Sequence, residues 1–151
     1  MTLIISAFPG TGKTYLTQNR SDLTIWDSDS SNFSKSPEFP QNYVDYIKLG
    51  IKLEKDVILV SSHKVVRDAL TANGIQFITI VPPIEAKEEY SQRYRDRGSA
   101  ESFIDLISNN WADWLKETYS QPGSYVLFAG EYLSDIIDQL LSLQTPTKNV
   151  E

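Results

Sequence analysis

The chain has no cysteine. Neither a disulfide framework nor a thiolate-ligated metal site is therefore available to its 151 residues, a composition compatible with a reducing compartment. Long apolar runs are missing as well. Nothing approaches the roughly 18 consecutive apolar residues of a spanning helix, and the first residues lack the basic stretch and apolar core of a signal peptide. A soluble, cytoplasmic protein with no membrane partner is expected. Positive charge is in deficit, with 14 Lys and Arg against 20 Asp and Glu and a formal net charge of −6. The molecule as a whole would repel polyanions, which argues against duplex nucleic acid as a partner but leaves room for a local basic site for a small anion.

What is present is ordinary in amount. Hydrophobic residues make up 40% and charged residues 23%, and the length suits one domain able to bury a substantial core. The most informative stretch is Leu3-Ile4-Ile5-Ser6-Ala7-Phe8-Pro9-Gly10-Thr11-Gly12-Lys13-Thr14, an apolar run that empties into a glycine-bearing loop ending in Gly-Lys-Thr. It reads as a phosphate-binding loop between a buried strand and a helix. Glycines let backbone N–H groups close around phosphate oxygens, the helix start faces them, Lys13 adds a point charge and Thr14 a hydroxyl for magnesium. The strict pattern G-x-x-x-x-G-K-[ST] is missed once, because Ala7 stands where its first glycine belongs. Alanine disfavours positive φ, so the turn must be one that a non-glycine residue can adopt there.

Further along, apolar runs alternate with helical spacings. Strands are predicted at Leu3–Ala7, Leu23–Trp26, Asp56–Ser61, Phe77–Val81 and Tyr125–Ala129. Helices are predicted after the loop to about Asn19, from Tyr43 to about Leu53, from Val65 to Leu70, from about Glu85 to Arg97, across Phe103 to Leu115, and from Leu133 to Leu143. Residues 30 to 42, rich in Ser, Pro and Asn, read as a loop, and residues 145 to 151 as a frayed tail. Apolar runs without in/out alternation imply a mainly parallel sheet covered on both faces. Ligands in such sheets sit outside the carboxyl ends of the strands, so the polar residues ending the first three strands should gather on one edge.

That edge supplies the candidates. Asp27 and Asp29 follow the second strand at i, i+2; one would orient or deprotonate a substrate hydroxyl while the other supports magnesium, with Asp27 the first choice as base. An Asp/Ser turn with local backbone bonds is the competing reading. His63, the sole histidine, and Arg67 open the helix after the third strand, where a guanidinium fork suits an anionic part of the substrate. Arg93 and Arg97, one turn apart, suit a lid over about residues 85 to 100 that closes on a transferring phosphate. A solvated helix with pairs such as Glu89 and Arg93 is the plain alternative. Trp111, Trp114 and Phe103 read as core positions, and Phe39, Pro40 and Tyr43 as a possible wall for a second substrate.

Taken together, the loop Ala7 to Thr14, Asp27-Ser28-Asp29, Ser62 to Leu70 and Tyr90-Ser91-Gln92-Arg93-Tyr94-Arg95-Asp96-Arg97-Gly98 resemble the small P-loop kinases. That superfamily holds nucleoside monophosphate, gluconate and shikimate kinases and polynucleotide 5′-kinases. A closer likeness is to small nucleotide-kinase-like proteins of bacteriophages and their hosts. The resemblance implies an α/β fold of P-loop NTPase type: a three-layer α/β/α sandwich on a five-stranded, mainly parallel sheet in the order 2-3-1-4-5. One domain would span residues 1 to 144. It further implies ATP and magnesium as cofactors. Pro9, Gly10, Thr11, Gly12, Lys13 and Thr14 would bind the nucleotide, and Thr14 and Asp27 the metal. Asp29, His63 and Arg67 would hold the acceptor, and Lys13, Asp27, Asp29, Arg93 and Arg97 would serve the chemistry. Ser61-Ser62 stand where many relatives place an acidic magnesium ligand, which shifts weight onto Asp27 and Asp29. The expected activity is phosphoryl transfer from ATP to a small acceptor, a nucleoside or nucleotide first of all. A polynucleotide 5′-kinase and a nucleotide-binding regulator with little turnover are the rivals.

Overall fold

In the computed structural model, which describes residues 2–144, the chain forms a parallel sheet flanked by helices. The strands are β1 (Leu3–Ala7), β2 (Ile25–Asp27), β3 (Val57–Val60), β4 (Ile78–Val81) and β5 (Ser124–Val126). They pair in parallel throughout, in the order β2-β3-β1-β4-β5, as expected. The helices are α1 (Lys13–Asn19), α2 (Gln41–Lys52), α3 (Lys64–Ala72), α4 (Lys87–Asp96), α5 (Glu101–Tyr119) and α6 (Leu133–Gln144). None of the described helices is long and apolar enough to cross a membrane. The expected frayed tail lies outside the described residues.

The apolar runs are explained by burial on both faces. Every residue of β1 and β3 is buried, so neither strand has a wet side that would call for alternation. Leu3, Ile5 and Ala7 pack with Leu16 of α1 and Leu133, Ile136, Ile137 and Leu140 of α6. On the opposite face Ile4, Ile58 and Val60 meet Tyr43, Val44 and Ile47 of α2 and Val66 and Leu70 of α3. Val81, opposite in pleat to Ile80, joins Phe8, Tyr90, Tyr94, Trp111 and Leu115 in a third cluster built on α4 and α5. The result is an α/β/α sandwich of three layers.

Two strand boundaries differ from expectation. β5 ends at Val126 because its partner β4 ends at Val81, where Pro82 and Pro83 bring no N–H to the ladder. β2 starts at Ile25 and runs on to Asp27, which pairs with Leu59 and so belongs to the strand itself. The segment expected as a lid is packed down, since Tyr90, Ser91 and Tyr94 of α4 are buried against the body of the molecule.

Candidate functional site

The chain leaves β1 towards β2 on one side of the sheet and leaves β4 towards β5 on the other, so the crossovers diverge above β1. The glycine-bearing loop sits at that point, where open α/β sheets place ligands. Ala7 is fully buried within β1 and paired with Ile80, so it is extended strand and needs no positive φ. The turn comes later, at Gly10 (φ 88°) and Gly12 (φ 98°), both in the region that side chains resist. Contacts forbid a side chain there too: a Cβ on Gly10 would lie 2.8 Å from Tyr94 Cε1, and one on Gly12 would lie 3.1 Å from Tyr132 Cδ2.

The loop's carbonyls are all tied to the protein. Thr11 Oγ1 donates to Phe8 O (2.8 Å), Tyr94 Oη to Pro9 O (2.7 Å), Arg93 Nη1 to Gly10 O (2.8 Å) and Leu133 N to Thr11 O (2.9 Å). The N–H groups of Gly10, Gly12, Lys13 and Thr14, by contrast, have no partner among the described residues. A loop with its acceptors turned inward and its donors left over is a surface built for oxygen anions. Desolvation pulls the Lys13 ammonium below its ordinary value, against the raising influence first of Asp27 and then of Asp29; the nearby Arg97 pulls the same way as burial.

A serine and tyrosine network fixes the carboxylate edge. Tyr43 Oη donates to Ser28 O (2.8 Å) and accepts from Ser61 N (3.4 Å), Ser61 Oγ contacts Ser30 Oγ (2.6 Å), and Ser6 Oγ reaches Ser61 O (3.0 Å). Burial pushes the Tyr43 phenol well up, so it stays a neutral bridge. Asp29 Oδ1 caps the short 3-10 turn Ser30–Asn32 by accepting from Ser31 N (2.9 Å), which is the local turn chemistry weighed against its functional reading. Asp27 makes no such bond and is exposed at the strand end.

Three expected roles change. Arg93 is a strut: its guanidinium holds Gly10 O, Glu131 O (3.1 Å) and Glu89 Oε2 (2.6 Å), stacked between Tyr90 (4.3 Å) and Tyr132 (3.8 Å). Arg67, expected to grip a substrate anion, is buried and paired with Glu117. Its Nη1 also meets Gln121 Oε1 (3.1 Å) and its Nε meets Ser62 O (2.9 Å). Phe39 and Tyr43 belong to the packing under α2, Pro40 is the residue before that helix, and none of the three lines either cavity. Arg97, just past the end of α4, has its guanidinium over the rings of Tyr94 (5.1 Å) and Phe103 (5.9 Å); its Nε meets Ser99 Oγ (3.2 Å), and its terminal nitrogens have no hydrogen-bond partner among the described residues. His63 precedes α3 and is exposed at the rim.

Two cavities meet here. One of about 450 Å³ is lined by Gly10, Gly12, Thr14, Arg93 and Tyr132; the other, of about 640 Å³, by Asp27, Asp29, His63, Arg67 and Trp114. Lys13 and Arg97 line both. Thr14 in the smaller cavity and Asp27 in the larger one each carry an oxygen donor of the kind a hard cation such as magnesium takes. The unpartnered loop amides suit the phosphates of ATP. Sequence reasoning missed Tyr94, Tyr132 and Glu117. The Tyr90/Tyr94 spacing on one helical face was a readable signal, whereas Tyr132 and Glu117 reach the site only through tertiary packing. Trp114, read as core, is 39% exposed and faces the larger cavity.

No family model matches the chain, and no curated protein matches it. Among solved structures, the one described as "Crystal structure of APE1195" aligns with 99% of this chain and 96% of its own, at 18% identity and a TM-score of 0.48.

Proposed function

We propose that this protein is a P-loop phosphotransferase that moves the γ-phosphoryl group of ATP to a hydroxyl on a small acceptor. The observation that carries the reading is the junction of two cavities at Lys13 and Arg97, one floored by the donor-rich loop and the other edged by Asp27 and Asp29. Phosphoryl transfer needs this arrangement: positioned phosphates, cations at the transfer point and a carboxylate at the acceptor. ATP with magnesium would supply the phosphoryl group and the cation that offsets its charge. The amides of Gly10, Gly12, Lys13 and Thr14 and the Lys13 ammonium hold the phosphates, and Thr14 and Asp29 would offer oxygens to the metal. Asp27 orients the acceptor hydroxyl and takes its proton as the new O–P bond forms. Arg97 offsets the charge that develops at the junction. Arg93 keeps the loop in shape without touching the reacting atoms. The reading places the enzyme in the cytoplasm, where ATP is supplied.

The test is an ATP-consumption screen with magnesium against nucleosides, nucleoside monophosphates, small sugars and short 5′-hydroxyl oligonucleotides, with Lys13→Ala as control. Acceptor-dependent turnover that vanishes in the variant is expected. ATP binding with no acceptor-dependent turnover anywhere in the panel would sink the enzyme reading in favour of a regulator.

A further inference from the structure

The larger cavity has two unlike sides. Helix α5 gives the cavity an apolar, open surface, with Leu106 53% and Trp114 39% exposed and Phe103 and Ile107 also lining it, as does Phe8; Glu117 and Thr118 are its polar contributions. Leu106 and Trp114 are eight residues apart, so they share a helical face with Phe103 and Ile107 alongside. Large apolar side chains left uncovered inside a cleft mark a surface that a ligand covers. The carboxylates of Asp27 and Asp29, at the end of β2, line the same cavity.

The cations of this cavity are committed elsewhere. Lys13 and Arg97 stand at the junction with the loop cavity. Lys64 Nζ is paired with Asp68 at 2.7 Å. Arg67, 2% exposed, turns both arms of its fork to Glu117 and Gln121, so its guanidinium is closed to a second anion. His63, on the rim, offers a single imidazole and no fork.

We propose that the acceptor is an uncharged alcohol carrying a flat ring, a nucleoside in preference to its 5′-monophosphate, with the ring against Trp114 and Phe103 and a hydroxyl at Asp27. This deepens the phosphotransferase reading and rests on it for the role of the hydroxyl alone. With Lys13 and Arg97 taken up by the phosphates of ATP at the junction, a phosphate on the acceptor would lie among Asp27, Asp29 and the Glu117 paired with Arg67, a repulsion that specificity by unlike charge predicts.

The test is calorimetric titration of the full chain with adenosine, guanosine, cytidine and thymidine, each against its own 5′-monophosphate, with magnesium and a saturating non-hydrolysable ATP analogue filling the loop cavity. At least one nucleoside should bind tenfold or more tighter than its monophosphate, and Trp114→Ala should weaken that nucleoside at least tenfold with Tm unchanged. Glu117→Gln, which keeps an acceptor oxygen for Arg67, should narrow the gap by improving monophosphate binding. Equal or tighter binding of the monophosphates, no binding of any nucleoside, or unchanged nucleoside affinity in Trp114→Ala would each overturn the proposal. Nucleoside binding with no ATP-dependent product would overturn the phosphotransferase reading alone. Turnover of monophosphates only would overturn this inference alone.

Discussion

Ala7 and Lys13 show how the same loop sets stability against function one side chain at a time. Ala7 occupies the motif's first glycine position, yet it is a fully buried strand residue with an extended backbone. Restoring the motif by Ala7→Gly should therefore destabilise the chain by about 1 kcal/mol, because glycine loses more backbone entropy in a strand and leaves a methyl-sized gap. A thermal melt should show a fall of about 2–4 °C, and ATP affinity should not improve. Lys13 runs the other way. Its folded pKa lies below the unfolded value of 10.5, so the unfolded chain binds more protons between the two, and stability rises with pH across that interval. Below the folded pKa the desolvation penalty is present in full. Lys13→Met should consequently raise Tm at pH 7 while losing ATP binding. Melts repeated towards pH 10.5 should show the gap between variant and wild type closing as the wild-type ammonium sheds its proton.

At the scale of elements, α4 acts as a strap across the loop. Tyr94 Oη and Arg93 Nη1 hold consecutive loop carbonyls, while Glu89 accepts from Gly130 N at 3.0 Å and ties in the segment before α6. Arg93→Lys should cost about 2–3 kcal/mol, since an ammonium can neither stack between two rings nor serve three acceptors in one plane. Arg97→Ala should leave Tm within about 1 °C, as expected of an exposed side chain, but lower kcat about a hundredfold or more. If the two variants behave alike in melts and turnover, the division into strut and catalytic cation is wrong. This division was not legible in the sequence, where both arginines share spacing and neighbours. Periodicity reports which helix face is buried, and it placed α4, α5 and the fully buried strands β1 and β3, while the ends of the half-exposed edge strands β2 and β5 shifted. It carries no information on which of two cations meets a loop carbonyl 83 positions away. Asp27, the glycine turn and Lys13 were legible because they sit where a strand ends, a place fixed by local pattern. Glu117 was not, because it meets Arg67 only once α5 packs beside α3.

Across the whole molecule that last contact joins two of the three packing clusters. Arg67 belongs to α3, over the β1–β3 half of the sheet, while Glu117 and Gln121 lie on and after α5, over the β4 side. Both members of the pair line the larger cavity, so the contact that joins α3 to α5 is also part of the wall of the site. Its energetics should be asymmetric. The Glu117 side chain is 36% exposed and can return to water, but Arg67 at 2% cannot. Glu117→Ala should then cost about 3–5 kcal/mol by leaving a buried guanidinium unpaired, while Arg67→Met/Glu117→Met should fall close to wild type because a buried ion pair replaced by apolar groups of similar volume is near neutral. Urea melts of the two singles and the double would give the coupling between them. A double variant as unstable as Glu117→Ala would mean that the hydrogen-bonded ion pair itself holds the two halves together and that apolar packing of similar volume cannot replace it.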